Sequence, residues 1–355
     1  MQQRRLFGVA FYNGLEAVVI NGAALGLTLV GFGGFVWGFG VDPFAVYRTL
    51  YLGAFATQIS IETTLTYAAP LMLTALCTAI PARAGLLVIG GEGALVVGGV
   101  ATVLVGVNLT GLPPGLGIAL MGLAGALAGG LWIGAAGALR QYRGVNETIA
   151  TLLMNYIAIA LMNHLVTGPI RDFERVLKPA SWSIPDQFMV GVLPGLDVHW
   201  GLVVGLVVCL VLYVIMRRSV FGFGVDVLGG NPRAARMAGL PINRMVLICC
   251  VLGGGAAGLA GTMEVVAVHG FASDSLVVGF GYAGILIAFL ARQNPLAVIP
   301  VAILVGGISA SGGLLQRRYG LPDATTAVLQ GMLFLMVLAS NACYGRFGFL
   351  RMREA

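Results

Sequence analysis

Two carboxylates, Glu92 and Glu264, lie inside long apolar segments of the chain. A charged group at the centre of a bilayer costs at least about 2.5–3.5 kcal/mol on insertion scales, so such a residue by default marks a transport path or a buried polar network. Glu92 stands among the glycines of residues 83–93. An alternative is therefore that its carboxylate caps a broken helix by accepting backbone N–H bonds. Both interpretations place Glu92 at a helix break.

The sequence lacks the common catalytic and nucleotide-binding motifs. Because Lys178 is the only lysine, no G-x-x-x-x-G-K-[ST] loop for ATP can form, and neither G-x-S-x-G nor H-E-x-x-H occurs. The five cysteines lie in or beside apolar segments without metal-ligand spacing, and the three histidines are isolated from one another. We therefore expect a chain that is not an enzyme and holds no metal or cofactor of its own.

The composition predicts a polytopic membrane protein. Hydrophobic residues make up 58% of the chain, charged residues only 10%, and the mean hydropathy is +0.95, whereas soluble domains carry about 25% charged residues. The net charge of +6 does not indicate nucleic acid, because basic residues gather in cytoplasmic loops to set membrane topology. The expected surroundings are membrane lipid, with no nucleic-acid partner.

The 54 glycines fit close helix packing, because small residues let helix backbones approach one another inside a membrane. In the fourth apolar segment small residues recur every four positions, at Gly122, Ala126, Gly130, Gly134 and Ala138. We expect this stripe to be one continuous helix contact.

Apolar segments divide the chain into about ten transmembrane helices. They cover about 17–39, 64–81, 85–107, 116–139, 147–168, 200–216, 245–268, 280–291, 295–313 and 323–341. The eighth is too short for a straight helix to cross a hydrocarbon core of about 30 Å, which needs about 20 residues. It is interpreted either as a half-helix or as a helix that the preceding apolar residues extend. The prediction is an all-α polytopic membrane protein in which residues 1–355 form one transmembrane domain, with halves at 17–168 and 200–341.

The distribution of basic residues predicts that both termini lie in the cytoplasm. With the N-terminus inside, only six of the 20 basic residues fall outside, at Arg48, Arg171, Arg175, Lys178, Arg317 and Arg318. The longest outer loop, residues 169–199, mixes charges with prolines. It is interpreted either as a partner-docking lip or as a merely solvated loop.

Two glycine-rich interruptions, at residues 83–93 and 270–284, follow the first long spans of the two halves. Paired interruptions of this kind indicate a transport site near the membrane midplane between inverted repeats. The candidate path residues are Gly90, Gly91, Glu92, Asn155, Glu264 and Tyr282.

The fifth segment carries the polar residues Asn155, Asn163 and His164. Lipid does not tolerate such groups, so we expect them to face the interior of the helix bundle. Hydrogen bonding between helices is favoured over direct substrate contact for each.

Residues 217–244 form a loop with five arginines between two apolar segments. Asn231-Pro232 is typical of a helix start, and Gly239 and Pro241 are typical of a helix end. The sequence of this loop therefore predicts a short, basic helix at the surface, to which a soluble partner can bind.

Four stretches together resemble the permease subunit of a bacterial ABC importer of the ribose/nucleoside type. They are residues 85–93, similar to the family pattern GLFNIGxEGQ, residues 146–156, residues 230–239, and residues 279–285 leading to Asn294-Pro295. The resemblance covers nearly the whole chain. It departs from the family at Val88 and Ala94, where Asn and Gln are usual, at Asp226, where Arg is common, and at Ala283, which replaces a frequent Asp.

The resemblance implies a multi-pass protein of the bacterial inner (plasma) membrane, paired with a second permease as a homo- or heterodimer. It also implies a cytoplasmic ATPase that carries ATP and Mg²⁺, and an extracytoplasmic solute-binding protein. The coupling helix maps onto residues 231–239, and the implied ATPase-coupling residues are Asn231, Pro232, Arg233, Ala235, Arg236 and Gly239.

The long outer loop and the stretch at 146–151 favour a nucleoside as the transported molecule, with a simple sugar of the ribose type as the alternative. A further alternative is a secondary transporter that works without an ATPase. That class predicts intramembrane acids or bases arranged for ion coupling, and only Glu92 and Glu264 are available.

Overall fold

The computed structural model describes residues 22–109, 111–175, 178–322 and 324–343, with side chains described as far as residue 340. The helices are α1 (Gly22–Gly38), α2 (Pro43–Phe55), α3 (Gln58–Arg83), α4 (Gly91–Asn108), α5 (Pro114–Arg143), α6 (Glu147–Thr167), α7 (Gly201–Arg218), α8 (Val220–Gly230), α9 (Pro232–Met237), α10 (Ile242–Met263), α11 (Phe280–Leu290), α12 (Pro295–Tyr319) and α13 (Ala324–Cys343). A π-helix, Glu264–His269, continues α10, and short 3₁₀ turns cover Asp186–Phe188 and Asp274–Leu276. Between them the described residues contain no β-strand, only two isolated bridges.

The prediction of an all-α polytopic membrane protein is confirmed, but its count of about ten spans is higher than the helices support. Seven described helices are long and apolar enough to cross a membrane. An eighth span exists if α1 and α2, which meet at 112°, form one broken span. Each predicted segment does contain a helix, but helix breaks and short helices are invisible to a hydropathy count. In the eighth segment α11 has 11 residues and extends only about 16 Å, and whether this segment crosses the membrane fully stays a prediction.

The first predicted segment ends in a turn and a second helix that hydropathy alone did not separate. Gly40 has a left-handed backbone with φ 76°, and Asp42 accepts a hydrogen bond from the Phe44 N–H at 3.1 Å. Asp42 is thus the N-cap of α2, and Pro43 fills its first position. Residues 17–21 of the predicted segment, like Arg4, Arg5 and the arginines after position 343, lie outside the described residues.

The described chain forms two compact units, residues 57–307 and, separately, the residues up to 56 together with those from 308. The unit formed by the residues up to 56 and those from 308 has its own apolar core. Its buried residues are Phe32, Val36, Val46, Leu315, Leu321 and Leu329. Within it the Thr49 and Tyr319 hydroxyls hydrogen bond at 3.1 Å. The predicted division into halves at 17–168 and 200–341 stays a prediction.

In residues 57–307, α10 packs against α3, α4 and α5. The approach to α5 depends on glycine, because a Cβ atom at Gly258 would overlap the Gly125 carbonyl and one at Gly254 would overlap the Gly129 carbonyl. The closest contact between α5 and α10 is therefore made by Gly125 and Gly129, each one position before a residue of the predicted stripe. Such glycine pairs let membrane helices pack backbone to backbone.

The outer loop, residues 169–199, is attached to the segment that follows α10. The π-helix leaves the Val266 carbonyl free to accept the Val190 N–H at 2.8 Å. The Ile184 N–H donates to the Gly270 carbonyl at 2.9 Å. Backbone hydrogen bonds thus attach the loop to the end of α10, and both interpretations of its role, a partner-docking lip or a merely solvated loop, stay predictions.

Candidate functional site

The first predicted interruption is a true break in the helix. α3 ends at Arg83, and α4 begins only at Gly91. Inside a membrane, backbone groups without helical partners have to be satisfied by protein groups. The Thr78 hydroxyl does this by donating to the Val88 carbonyl at 2.9 Å, and the Thr148 hydroxyl by donating to the Leu87 carbonyl at 3.0 Å.

Two α6 side chains, one helical turn apart, hold the end of the break. The Thr151 hydroxyl accepts the Ile89 N–H at 3.1 Å. The Asn155 amide donates to the Ile89 carbonyl at 2.9 Å and accepts the Gly93 N–H at 2.8 Å. Asn155 is fully buried, so its predicted role as a polar contact between helices is confirmed. Thr151 was missed, although its i, i+4 spacing from Asn155 places both on one helix face.

Asn163 and His164 are exposed in this chain, in contrast to the expectation that they face the interior of the bundle. They lie about two turns beyond Asn155, off the buried face of α6, which continues through Met162 and Val166. The burial of Asn155 therefore does not predict the burial of Asn163 and His164, because these two residues lie on a different face of the same helix.

The second predicted interruption ends at α11, and Glu92 caps that helix. The two carboxylate oxygens of Glu92 accept the Gly279 N–H at 2.8 Å and the Gly281 N–H at 2.6 Å. Glu92 is fully buried, and Gly279 has a left-handed backbone with φ 92°. A carboxylate that accepts two N–H bonds at a helix N-terminus is stabilised by both the bonds and the helix dipole. The capping alternative is therefore confirmed, although the capped helix belongs to the other half of the chain.

Glycine is required where α4 and α11 meet. A Cβ atom at Gly281 would overlap the Glu92 backbone nitrogen, and one at Gly91 would lie 3.4 Å from the Gly281 Cα. On the opposite side the Thr74 hydroxyl donates to the Phe280 carbonyl at 3.0 Å. Two helix N-termini thus meet in the interior with one carboxylate between them.

Two tyrosines adjoin this meeting point. Tyr282 lies close enough to the Asn155 side chain and to the Tyr156 phenol to interact with both electrostatically. The two rings are 40% and 61% exposed. They are therefore the accessible part of a site whose other groups are buried.

The structure brings together five of the six candidate path residues, namely Gly90, Gly91, Glu92, Asn155 and Tyr282. Glu264 lies in the π-helix, with its carboxylate 3.7 Å from His269 Nε2. Tyr156 was not among the predicted residues, although it is the last residue of the quoted stretch at 146–156. Whether these residues form the path stays a prediction.

The predicted surface helix is confirmed as α9. The Asn231 side chain accepts the N–H groups of Arg233 and Ala234 at 3.0 and 3.1 Å, and Gly239 ends the turn with a left-handed φ of 74°. Arg236 is exposed, whereas Ala235 is fully buried and attaches the helix to the rest of the chain.

The stretch before α9, predicted as a loop, is the helix α8. Its N-cap is Ser219, whose side chain accepts the Gly222 N–H at 3.1 Å. Asp226 in α8 forms a two-point ion pair with Arg83, at 2.7 and 2.8 Å from Arg83 Nη2 and 3.0 Å from Arg83 Nε. The acidic residue that departs from the family pattern therefore has a specific partner.

A bundle of apolar helices with a broken-helix site inside and a short basic helix at its surface defines the membrane subunit of a transporter. A model of the family described as "Branched-chain amino acid transport system / permease component" matches residues 60–338. The chain belongs to this family, whose members are permease components of ABC importers.

Named relatives agree with this assignment. The chain is 30% identical to a glucose ABC transporter permease protein of Haloferax volcanii, over 85% of this chain and 82% of the relative. It is 28% identical to a guanosine ABC transporter permease protein of Bacillus subtilis, over 87% and 89%. It is 24% identical to a nucleoside ABC transporter permease protein of Lactococcus lactis, over 84% of each chain.

A metal-chelate type ABC transporter solved in an inward-facing conformation overlaps with 90% of this chain at a TM-score of 0.44 and 16% identity.

The chain is thus the non-catalytic transmembrane subunit of an ABC importer and a multi-pass protein of the inner (plasma) membrane. Family membership implies an ATPase and a binding protein as partners in general. It also decides against a secondary transporter that works without an ATPase.

Proposed function

We propose that this permease translocates a nucleoside delivered by an extracytoplasmic binding protein. The observation that carries the proposal is the use of Glu92 as a cap. In many transporters the N-terminus of a half-helix faces the anionic group of the substrate. Here that position at α11 is filled by a carboxylate of the chain itself, whose two oxygens are both occupied. The site is therefore matched to a neutral molecule.

The accessible groups of the site suit a molecule with an aromatic face and polar edges. Tyr282 and Tyr156 present half-exposed rings, and base–aromatic stacking contributes about 1–3 kcal/mol per base. A nucleoside combines such a face with neutral hydroxyl and amide groups. Two of the relatives named above are guanosine and nucleoside permeases, which supports the same substrate class.

A simple sugar is the second candidate. The relative from Haloferax volcanii, at 30% identity, is named as a glucose permease. A sugar is also neutral, and its apolar face can pack against a tyrosine ring. Substrate preference therefore has to be measured directly.

The proposed transport cycle is driven from α9. The exposed residues of this segment dock in a groove of the cytoplasmic ATPase, which binds ATP and Mg²⁺, while a second permease, identical or different, completes the membrane part. Of the predicted coupling residues, Ala235 is fully buried and is left out of the docking surface. The proposed docking residues are the exposed Asn231, Pro232, Arg233, Arg236 and Gly239. Closure of the ATPase subunits on ATP displaces α9, and the path opens alternately to each side of the membrane.

Uptake by cells that co-express the chain with its partner ATPase and binding protein tests the proposal. We expect accumulation of radiolabelled guanosine, adenosine or uridine that disappears when the P-loop lysine of the ATPase is replaced. Glucose or ribose uptake would move the substrate to the second candidate. ATPase-independent accumulation would contradict the proposed mechanism.

The tyrosines of the site are tested in the same assay. Tyr282→Ala is expected to lower uptake at least about fivefold, because loss of one stacking contact of about 1–3 kcal/mol corresponds to roughly 5- to 150-fold. Tyr142→Ala is the matched control, since Tyr142 is exposed at the end of α5, away from the site. Equal losses in both variants would argue against a substrate contact at Tyr282.

A further inference from the structure

The Arg83–Asp226 ion pair joins the segment that carries α9 to the end of α3. Its two-point geometry fixes both the distance and the orientation of the partners, as guanidinium–carboxylate pairs do. The Arg83 side chain is only 15% exposed, whereas Asp226 is 47% exposed. The two residues are 143 positions apart in the sequence, so the pair ties α8 to the end of α3 independently of the covalent chain.

Backbone packing strengthens the same junction. A Cβ atom at Gly229 would overlap the Arg83 carbonyl, and one at Gly85 would lie 3.7 Å from the Gly229 Cα. α8 and α3 therefore touch backbone to backbone directly beside the ion pair. Because no side chain lies between the two backbones at this contact, a displacement of α8 pushes directly on the end of α3.

α8 and α9 are closely linked. A single residue, Asn231, separates them, and its N–H donates to the Val227 carbonyl of α8 at 3.0 Å while its side chain caps α9. Because one residue belongs to the end of one helix and the start of the next, movement of α9 is transmitted to α8.

Arg83 is also the last residue before the break at 84–90. The Leu86 N–H still bonds to the Pro81 carbonyl of α3 at 3.1 Å, and Ile89 is held by Thr151 and Asn155. The break leads directly to Glu92 and hence to the cap of α11. By contrast, the covalent connections of the α8–α9 segment lead to α7 and α10.

We propose that Arg83 and Asp226 are positioning residues that transmit the displacement of α9 to the break at 84–90, and through Glu92 to α11. The inference rests on the proposed docking of the ATPase at α9. It adds the route by which that docking reaches the membrane site. The acidic residue at position 226 is the partner that makes this route specific to the chain.

Distances between spin labels in the assembled importer test the route. With the native cysteines replaced by alanine, one label pair joins Met237 in α9 to Tyr142 in α5, and a second joins Leu87 in the break to Tyr142. All three side chains are exposed: Met237 by 84%, Leu87 by 36% and Tyr142 by 63%. Each pair is measured without nucleotide and with ATP plus vanadate.

The wild-type chain is expected to change both distances on trapping with ATP and vanadate. Arg83→Gln or Asp226→Asn is expected to keep the Met237–Tyr142 change and to lose at least about half of the Leu87–Tyr142 change. The double variant Arg83→Asp with Asp226→Arg, which exchanges the two charges, is expected to restore the Leu87–Tyr142 change.

Arg140 and Glu147 provide the matched control pair, since they form an ion pair of 3.3 Å between α5 and α6 outside the α8–α9 segment. Arg140→Gln is expected to leave both changes intact, and an equal loss there would overturn the inference. A Leu87–Tyr142 change that persists in Asp226→Asn would overturn the route while leaving α9 as the docking helix. No Met237–Tyr142 change in the wild-type chain would contradict the docking proposal itself, and the inference with it.

Discussion

Glu92 shows how a single carboxylate is accommodated in an apolar interior. Ionised groups there are costly unless they are paired or hydrogen bonded, and Glu92 receives two short bonds from the backbone of α11. The residue therefore joins two distant parts of the chain by satisfying the exposed N–H groups of a helix start.

Glu92→Gln is expected to destabilise the protein by about 1–3 kcal/mol, because the amide can accept only one of the two N–H bonds and turns an NH₂ group toward the other donor. Thermal unfolding in detergent measures the loss, and transport is expected to fall with it. Glu264→Gln is the matched control, since Glu264 is a buried carboxylate in the π-helix that does not cap α11. A wild-type midpoint for Glu92→Gln would show that the cap contributes nothing.

His199 makes the junction of the outer loop with α7 sensitive to pH. Burial lowers the pKa of His199, although the nearby Thr66 backbone opposes this, and its Nδ1 accepts the Gly201 N–H at 3.1 Å. Protonation removes that acceptor. Because the folded-state pKa is lower than the unfolded one, the contribution to stability is complete above the unfolded value of about 6.5 and is lost as the pH falls through the folded value.

We expect the unfolding midpoint to fall between pH 7.5 and pH 5.5 by more in the wild-type chain than in His199→Asn, whose side chain keeps a neutral acceptor. The loss at stake is about 1 kcal/mol, typical of a helix cap. His164→Asn, at an exposed position in α6, serves as the control. Identical pH profiles for the wild type and His199→Asn would contradict this role.

At the scale of the elements, the contact between α4 and α11 depends on the absence of a side chain. Gly281→Ala places a methyl group on the Glu92 backbone nitrogen, which neither helix can avoid by rotating a side chain. Overpacking of this kind costs about 1–3 kcal/mol or more. We expect lower expression and a lower unfolding midpoint, together with loss of transport.

Gly115→Ala is the matched substitution, because nothing lies within 4 Å of a Cβ at that position in the first turn of α5. It is expected to leave the midpoint unchanged or to raise it slightly, since alanine is the better helix former. Similar losses in both variants would mean that the α4–α11 contact is looser than described.

The elements differ in how far the sequence predicted them. α9 was predicted from Asn231, Pro232 and Gly239 because caps act within a few residues. The partners of Glu92 lie 187 and 189 residues away, and no local pattern indicates such a contact. α8 was missed because its glycines are typical of a loop.

The candidate site was predictable only in part, for the same reason. Polar residues in apolar segments are conspicuous in a sequence, so Glu92, Asn155 and Tyr282 were identified. Their mutual arrangement depends on where two breaks meet in space. Glu264 looked equivalent to Glu92 by hydropathy, but helix geometry places it beside His269 instead.

At the scale of the whole molecule, the chain is one subunit of an importer, and its assembly is expected to depend on α9. Arg236→Glu is expected to abolish co-purification of the partner ATPase and to lower uptake at least about tenfold. The substituted residue is exposed, so the fold and the unfolding midpoint should not change.

Arg143→Glu reverses the charge of another exposed arginine, at the end of α5, and is the control for a general electrostatic effect. If the ATPase co-purifies equally with the Arg236→Glu and wild-type chains, the docking surface lies elsewhere. If both charge reversals abolish co-purification of the ATPase, the ATPase is bound through long-range electrostatic attraction and not through contact at α9.

The cap of α11 also has a consequence for biogenesis. Glu92 is synthesised 187 residues before Gly279, and at roughly 5–20 residues per second the ribosome takes roughly 10–40 s to cover that distance. During this interval α4 is inserted while the N–H donors of its carboxylate do not yet exist. The nascent chain therefore has to keep Glu92 hydrated or neutral, and the first break completes its structure only after translation has passed Gly281 of the 355 residues.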